Sequence, residues 1–450
     1  MSAVDDTPTQ FRGNLTPVAE ELTLTDLEVI GEIPAELDGR YVRNGPNPIT
    51  GESDHPFLGD GMIHGVRLRD GNAEWYRNRY VQTPHVANPD LPFLEVGEDL
   101  HDLTASKANT NIVGHSGALL ALEEGHFPYV LDGELETVGP TDFEGGLVSP
   151  FSAHPKLCPV TGEMLSFGYA MFEPYLTYLR VSADGNLVQS TPITVGGPTM
   201  MHDFNITQNH AIFMDLPAVF DFDLAMKGEM PIRWSDDYPA RLGVMPRDGD
   251  DSQVTWYDVD PCYVFHPMNA FEDGDKIVLD VARLPYVWRD GALDFPDPSL
   301  HRWTIDTSAG TVHEAQVDDR PAEFPRVADA RVGLEYRYGY MMLNNGAKVI
   351  DAPMSVNGGL LKYDLDTGGQ VVLDVGRGRH PGEAVFVPAA GGHAEDDGYL
   401  MTYVFDAESN TSEFAIFDAS TMSSDPVAAV KLPRVPLGFH GNWVPSTQSD

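Results

Sequence analysis

The sequence predicts an all-β fold, a seven-bladed β-propeller, on three observations. Glycine (43) and proline (35) are spread through all 450 residues and divide them into short runs of alternating polarity. Long amphipathic helical windows are hard to find. Asp-rich turns recur between the runs, as expected of four-stranded blades. Seven blades would average about 64 residues each, so residues 1–450 are expected to form a single domain. A pair of β-sandwiches is the alternative.

The predicted strands and turns follow one another along the whole chain. Strands are expected at residues 118–124, 211–215, 276–282, 371–375, 383–387 and 399–405. Hairpin tips of similar composition are expected at residues 182–186 (SADGN), 306–310 (DTSAG), 364–368 (DLDTG) and 418–421 (DAST). Asp, Ser and Gly tolerate the backbone of such tight turns. Residues 82–105 and 218–261 are rich in Pro and Asp, and we expect them to be insertions that cap one face with loops and short helices.

The charge of the chain excludes whole classes of partner. Sixty-nine acidic residues against 28 basic ones give a formal net charge of −41, which argues against binding nucleic acid or an anionic membrane through a basic patch. Such a surface would suit a very salty cytoplasm.

The N-terminus lacks the pattern of a secretory signal, and no window approaches the roughly 18 apolar residues of a membrane span. We therefore expect a cytoplasmic protein, with any membrane contact made peripherally through a patch such as residues 89–96. The oligomeric state is left open.

Cysteine and histidine are the residues that could report a metal or redox site. Cys158 and Cys262 are far apart, lack a CxxC partner and are expected to be small buried side chains. Fifteen histidines show no local metal-binding spacing. Four of them occupy constrained segments and are separated by 48, 64 and 174 residues, close to one, one and three blade lengths: His154, His202, His266 and His440. Because the innermost strand of each blade lines the axis, these four could converge on an axial ion.

The four histidine segments are accompanied by further motifs in a fixed order. They include RNGPNP at residues 43–48, FLGDGM at 57–62 and ANTN at 108–111, and the pattern continues to Trp443. Together the motifs resemble those of the carotenoid cleavage oxygenases, non-haem iron enzymes that split carotenoids, apocarotenoids or stilbenes at a double bond. The resemblance covers nearly the whole chain. It implies Fe(II) on the propeller axis, bound by the four histidines, with up to two positions of an octahedron open for dioxygen.

The resemblance also implies roles for residues around the metal. Glu124, Glu323 and Glu383 match glutamates that accept the second ring hydrogen of metal-bound histidines. Thr110 matches a threonine whose methyl group faces a vacant coordination position. Four aromatic residues near the ligands are candidates for the wall of an apolar substrate tunnel: Phe265, Phe271, Phe439 and Trp443. The reaction implied is oxidative cleavage of a conjugated C=C bond into two carbonyl products, without a side chain as general acid or base.

Substrate choice depends on the residue before the first glutamate. Stilbene-cleaving members of the family have a lysine there, whereas this chain has Glu123. A carboxylate could accept a phenol hydrogen bond but cannot supply positive charge to a phenolate. The sequence therefore favours a carotenoid or apocarotenoid over a hydroxystilbene.

Two other classes of function stay open at this point. A calcium- or zinc-dependent hydrolase on a propeller should have carboxylate or amide ligands, and a non-catalytic apocarotenoid-binding propeller needs no metal. Metal analysis would separate the three: iron for the oxygenase, calcium for the hydrolase and no stoichiometric metal for the binding protein.

Overall fold

Seven antiparallel sheets are arranged as the blades of a β-propeller, with a separate two-stranded ribbon. The computed structural model describes residues 13–446 except 54, 92–101, 228, 290–294 and 345–356. Within these residues the chain is almost entirely strand, turn and loop, with α1 (Pro84–Ala87) and α2 (Phe222–Ala225) as its two α-helices. The predicted fold class, an all-β seven-bladed propeller, is confirmed.

The blades are numbered along the chain. Blade 1 contains β3 (Gly39–Pro46), β4 (Gly61–Arg69), β5 (Asn72–Tyr80), the outer β1 (Thr23–Leu24) and the inner β33 (Gly441–Pro445). Blade 2 contains β6 (Asn111–His115), β7 (Ala118–Leu122), β8 (Tyr129–Leu131) and β9 (Thr137–Pro140). Blade 3 contains β10 (Lys156–Leu157), β11 (Met164–Tyr169), β12 (Leu176–Val181) and β13 (Leu187–Pro192). Blade 4 contains β14 (Asn205–Ile206), β15 (His210–Asp215), β18 (Arg241–Pro246) and β19 (Thr255–Asp258).

The remaining three blades complete the ring. Blade 5 contains β20 (Tyr263–Asp273), β21 (Lys276–Leu284), β22 (Ser299–Asp306) and β23 (Thr311–Gln316). Blade 6 contains β24 (Ala322–Arg326), β25 (Tyr338–Leu343), β26 (Asn357–Asp364) and β27 (Gly369–Arg377). Blade 7 contains β28 (Arg379–Pro381), β29 (Val385–Pro388), β30 (Gly398–Asp406), β31 (Thr411–Asp418), β32 (Ala428–Leu432) and the outer β2 (Val29–Gly31). The ribbon pairs β16 (Ala218–Phe220) with β17 (Ile232–Trp234), and short 3₁₀ helices lie at Gly13–Leu15, Pro56–Leu58, Asp251–Gln253 and Asp329–Arg331.

Two pairings between the ends of the chain close the propeller. Strand β33 pairs antiparallel with β3, so that Trp443 lies opposite Tyr41, and β2 pairs with β32 in the last blade. Each blade stays an open sheet, and the ring leaves only short, protected edges. The last strand of the described residues, β33, is thereby the innermost strand of the first blade.

Burial explains the polarity patterns of the strands. Every residue of β11 is buried, because neighbouring blades cover both of its faces. In β13, at the outer edge of the same blade, partly buried and exposed residues alternate. The predicted tips at residues 182–186, 306–310, 364–368 and 418–421 all form turns that follow or join outer strands of their blades, and Asp306 and Asp418 accept hydrogen bonds from backbone N–H groups within their turns.

One of the two predicted insertions is only partly an insertion. Residues 218–261 include the ribbon and α2, as expected of a cap, but they also include β18 and β19, which are regular strands of blade 4. The turns around these strands are rich in Pro and Asp, so the composition of the segment as a whole did not indicate that it contains paired strands. In the candidate membrane patch, residues 92–96 lie outside the described residues.

Gly168 is expected to be intolerant of a side chain. An added Cβ would overlap the carbonyl oxygen of Pro150, on the segment that leads to His154. We expect Gly168→Ala to lower the free energy of unfolding by about 1–3 kcal/mol through overpacking, measured by urea titration. Gly382→Ala is the control, since its Cβ would meet its nearest atoms at 3.6 Å, an ordinary contact. Equal stability of the two variants would contradict this expectation.

Candidate metal centre

Four histidine side chains meet on the propeller axis. His154 and His202 lie just before the innermost strands β10 and β14, His266 lies within β20, and His440 immediately precedes β33. Their ring centroids are 4.4 Å apart for His154 and His202, 5.0 Å for His202 and His266, 4.8 Å for His266 and His440, and 4.7 Å for His440 and His154. Residues far apart in sequence thus form one ring of imidazoles, contributed by blades 3, 4, 5 and 1.

Nitrogen atoms of three of the four histidines lie close enough together to share a metal ion, and His440 completes the ring of imidazoles beside them. One nitrogen each from His154, His202 and His266 can be chosen so that all three lie within 4.8 Å of one another, and Nε2 of His202 is 3.2 Å from Nε2 of His266. Nε2 of His154 is buried without a hydrogen-bond partner. Burial lowers the pKa of His154 well below its ordinary value, so this ring is neutral and its lone pair is available. A set of imidazoles suits a first-row transition metal.

Three carboxylates lie behind three of the four rings. Glu323 accepts a hydrogen bond from Nδ1 of His266 at 2.7 Å, and Glu383 accepts one from Nδ1 of His440 at 3.0 Å. Glu124 contacts Nδ1 of His202 and accepts a hydrogen bond from the hydroxyl of Tyr169. With Nδ1 engaged in this way, Nε2 is the nitrogen left for the centre of the ring.

His154 differs from the other three histidines. Its Nδ1 lies 3.8 Å from Oδ2 of Asp203, whose carboxylate is bonded to Nζ of Lys156 at 2.7 Å. Its Nε2 lies 3.8 Å from Oε1 of Glu124. This ring is therefore held by packing and by the backbone, where the hydroxyl of Ser152 accepts a hydrogen bond from the His154 N–H.

Glu383 has the most completely paired carboxylate of the three. Besides His440, it accepts hydrogen bonds from the backbone N–H of Gly441 at 2.9 Å and from Nη1 of Arg326 at 3.2 Å. Burial would raise the pKa of Glu383, but the Arg326 guanidinium, His440 and the Gly441 N–H together lower it to about 2. Arg326 also donates to the carbonyl oxygen of Gly441 and to Asn442, each at 3.0 Å. Arg326, at the end of β24 in blade 6, thus links this blade to β33, the strand that follows His440.

Thr110 lies beside His440 through the backbone. Its carbonyl oxygen accepts a hydrogen bond from the His440 N–H at 3.2 Å, and its hydroxyl donates to Asn109 at 2.9 Å. Because the hydroxyl is turned to Asn109, the methyl group is the part of the side chain left for other contacts. With Thr110 and Glu124 from blade 2, Glu323 from blade 6 and Glu383 from blade 7, all seven blades contribute to the centre.

The predicted aromatic residues fall into two groups. The ring of Phe265 packs edge-on against His202 at 5.1 Å, and Phe439 directly precedes His440 and packs edge-on against Phe57 at 5.7 Å. Phe271 instead packs on Tyr336 at 6.0 Å within the core between blades, and Trp443 packs in the core between blades 1 and 7. Phe265 thus contacts a ring of the metal centre and Phe439 adjoins His440 in sequence, whereas Phe271 and Trp443 pack in cores between blades.

The carboxylate of Glu123 is already engaged. It is paired with Nδ1 of His126 at 2.5 Å and accepts hydrogen bonds from the Gly125 N–H at 2.8 Å and the Ser106 hydroxyl at 3.2 Å. These contacts hold the turn that follows β7. They leave the Glu123 carboxylate with little capacity to accept a further hydrogen bond from a substrate phenol.

The sequence reasoning missed three residues that contact the centre. Phe324 stacks on His266 with centroids 5.1 Å apart and lies 5.3 Å from His440, and its φ of 53° is in the left-handed region. Such a backbone conformation is costly for a bulky residue and is found where surrounding structure enforces it. Tyr169 and Arg326 bond to glutamates. Phe324 and Arg326 directly follow Glu323 in the segment EFPR at residues 323–326, whereas Tyr169 carried no sequence signal.

Comparison with known proteins agrees with this geometry. Residues 15–445 match the model of the family described as retinal pigment epithelial membrane protein, RPE65. A carotenoid cleavage oxygenase of Mycobacterium tuberculosis is 39% identical, with 97% of each chain covered. The chain belongs to the carotenoid cleavage oxygenase family. A carotenoid 9,10(9',10')-cleavage dioxygenase of Phaseolus vulgaris is 37% identical over 97% of this chain and 89% of its own length. The prediction of an enzyme of the carotenoid cleavage dioxygenase class is confirmed.

Solved structures of carotenoid cleavage oxygenases have the same fold. A lignostilbene dioxygenase of Pseudomonas brassicacearum superimposes with a TM-score of 0.88 at 29% identity, covering 98% of this chain and 99% of its own. A cobalt-substituted apocarotenoid oxygenase of Synechocystis superimposes with a TM-score of 0.85 at 29% identity, covering 97% and 98%. Among the helices in the described part of this family member, none is long and apolar enough to cross a bilayer.

Proposed function

We propose that this protein is an Fe(II)-dependent dioxygenase that cleaves a conjugated C=C bond of a carotenoid or apocarotenoid into two carbonyl products. The observation that carries the proposal is the ring of four imidazoles backed by glutamates, in a chain whose curated relatives are named carotenoid cleavage oxygenases and dioxygenases. In this proposal residues 1–450 act as one domain, the partners are dioxygen and an apolar polyene, and the enzyme is cytoplasmic with peripheral membrane contact.

The proposed metal ligands are His154, His202, His266 and His440. Bound there, iron would supply the activation of dioxygen that no amino-acid side chain provides. An imidazole binds a metal in its neutral form, so the metal would keep its full positive charge. A hydrolase metal site is expected to include carboxylate ligands, whereas the glutamates here face Nδ1 of the histidines from behind. This arrangement favours the oxygenase over the hydrolase alternative.

The remaining side chains orient the ligands and shape the space around them. Glu124, Glu323 and Glu383 would hold His202, His266 and His440 in one orientation and tautomer. The methyl group of Thr110 would limit approach to one open position of the metal. Phe265, Phe324 and Phe439 would give the reaction space apolar walls, so that the polyene rather than water contacts the centre.

The choice of a polyene over a stilbene is supported by the surroundings of Glu123. Its carboxylate is paired with His126 and further bonded to Gly125 and Ser106, and the position lacks the lysine of stilbene-cleaving members. A hydroxystilbene is kept as the second candidate, because the lignostilbene dioxygenase of Pseudomonas brassicacearum superimposes with a TM-score of 0.88.

The experiment is a product analysis with iron-loaded protein under oxygen at high salt. β-Carotene, an apocarotenal and a hydroxystilbene are incubated separately, and carbonyl products are identified by mass spectrometry. We expect a shortened apocarotenal or retinal, whose mass locates the cleaved bond. Benzaldehyde-type products alone would establish the stilbene alternative. Bound iron and bound apocarotenal without any product would overturn the enzyme proposal in favour of a binding protein.

A further inference from the structure

Outside the metal centre, one buried pair of side chains is chemically unusual. Cys158 lies in the exposed turn between β10 and β11, and Nη1 of Arg247, which follows β18, donates a hydrogen bond to its Sγ at 3.0 Å. The pair joins blade 3 to blade 4. Cys158 is 4% exposed and Arg247 is 8% exposed.

Arg247 forms no ion pair with a carboxylate in the described part of the chain. No Asp or Glu among the described residues lies within 4.0 Å of its guanidinium, and its Nε is buried without a hydrogen-bond acceptor. The nearby Glu163 is instead bonded to Nη2 of Arg180 at 2.6 Å. A guanidinium stays protonated in proteins, so a buried one requires an anion to offset its charge. The sulfur of Cys158 is the group in contact with it that can ionise.

The local backbone also favours a negative sulfur. Burial raises the pKa of the Cys158 thiol, but hydrogen bonds from Arg247, from Thr161 and from the Val160 N–H outweigh this, so the pKa is lowered overall. The second cysteine shows the contrast within the same chain: burial raises the pKa of Cys262 to about 12. Arg247 is the charged group in contact with Cys158, and Glu163, which is bonded to Arg180, interacts electrostatically with Arg247 beyond ion-pair distance.

From this geometry we propose that Cys158 is a thiolate held by Arg247 and is a site of oxidative or alkylating modification by small electrophiles such as hydrogen peroxide. Cys158 lies near the surface of the protein, in a turn whose Val160 is 60% exposed. In the oxidation, the sulfur attacks one peroxide oxygen, the S–O bond forms as the O–O bond breaks, and the departing hydroxide is protonated to water. The sulfur loses two electrons and becomes a sulfenic acid. Neither the metal nor a polyene takes part, so this proposal is independent of the proposed function.

The first experiment compares the two cysteines in the same sample. The folded full-length protein is treated with iodoacetamide between pH 5.5 and 9, and alkylation of each cysteine is followed by peptide mass spectrometry. An ordinary thiol is only about 3% ionised at pH 7, so a thiolate should react roughly threefold to fourfold faster even after allowance for its lower nucleophilicity. We expect Cys158 to react at pH 7 with a rate midpoint below the ordinary thiol value and Cys262 to stay unmodified. Failure of Cys158 to react, or a midpoint at or above about 8.5, would overturn the proposal.

Two variants test the role of Arg247. Arg247→Gln should move the midpoint of Cys158 alkylation upward and slow the reaction at pH 7 roughly threefold. Arg247→Lys keeps the charge and should retain most of the reactivity. Equal rates in wild type and Arg247→Gln, with both folded by circular dichroism, would overturn the role of the pair.

A last experiment tests the peroxide step directly. Zinc-loaded protein, in which the metal does not react with peroxide, is treated with hydrogen peroxide and the sulfenic-acid reagent dimedone. We expect the label on Cys158 and not on Cys262, and loss of the label in Cys158→Ser. Labelling of neither cysteine would overturn the oxidation step.

Discussion

Replacing His266 by alanine is expected to abolish stoichiometric metal binding and cleavage activity. The substitution removes one of four imidazoles and leaves Glu323 without the ring that donates to it at 2.7 Å. Loss of a partner behind a ligand commonly costs roughly 10–100-fold in metal affinity or activity, so loss of a ligand itself should cost more. Metal content by mass spectrometry and Co²⁺ binding by absorption give readouts that do not depend on the substrate.

A histidine outside the ring provides the matched control. His210 is bonded to Glu272 at 2.8 Å on the surface of blade 4 and does not contact the four rings. His210→Ala should keep full metal content and activity. Full iron content and full activity in His266→Ala would show that the imidazole ring is not the metal site.

Replacing Glu383 by glutamine is expected to weaken metal binding and to destabilise the fold at the same time. The amide keeps the shape of the side chain but cannot offset the charge of Arg326. Breaking a buried ion pair typically costs 3–5 kcal/mol, and we expect about 3 kcal/mol because Asp329 remains 3.5 Å from Arg326. Metal affinity should fall roughly 10–100-fold as His440 loses its carboxylate. Urea titration and Co²⁺ titration measure the two effects separately.

The same substitution has a defined pH dependence. The pKa of Glu383 is lowered to about 2 in the folded protein, so its contribution to stability is complete above the ordinary glutamic-acid pKa of about 4.3. That contribution is lost as the pH falls from this value through about 2. The difference in unfolding free energy between wild type and Glu383→Gln should therefore be constant near neutral pH and shrink in acid.

Glu323→Gln separates the two roles of the carboxylates. Glu323 also bonds a metal-site histidine, but it has no arginine within ion-pair distance among the described residues. We expect this variant to lose metal affinity, while its free energy of unfolding falls by only about 1 kcal/mol. If both glutamine variants destabilised the fold equally, the pairing of Arg326 with Glu383 would not be the cause.

The sequence by itself determined the fold class and the family. Short runs of alternating polarity separated by Asp-rich tips predict many short strands joined by turns. The tips at residues 306–310 and 418–421 form turns as predicted. The four histidine segments carried the resemblance because each sits in a motif. The composition of residues 218–261 predicted an insertion throughout, but β18 and β19 in this segment are strands of blade 4. The local sequence does not show which strands they pair with.

Only the tertiary structure decided which residues meet. Glu124 opposes His202, Glu323 opposes His266 and Glu383 opposes His440, and no spacing in the chain encodes these pairs. The sequence likewise did not predict that Glu123 pairs with His126 or that Arg326 pairs with Glu383. The physical reason is that a propeller places the inner strand of every blade at the same axis, so contacts there depend on blade order and strand register. Motif reading reports residue types, whereas ring closure through β3 and β33 sets the distances between them.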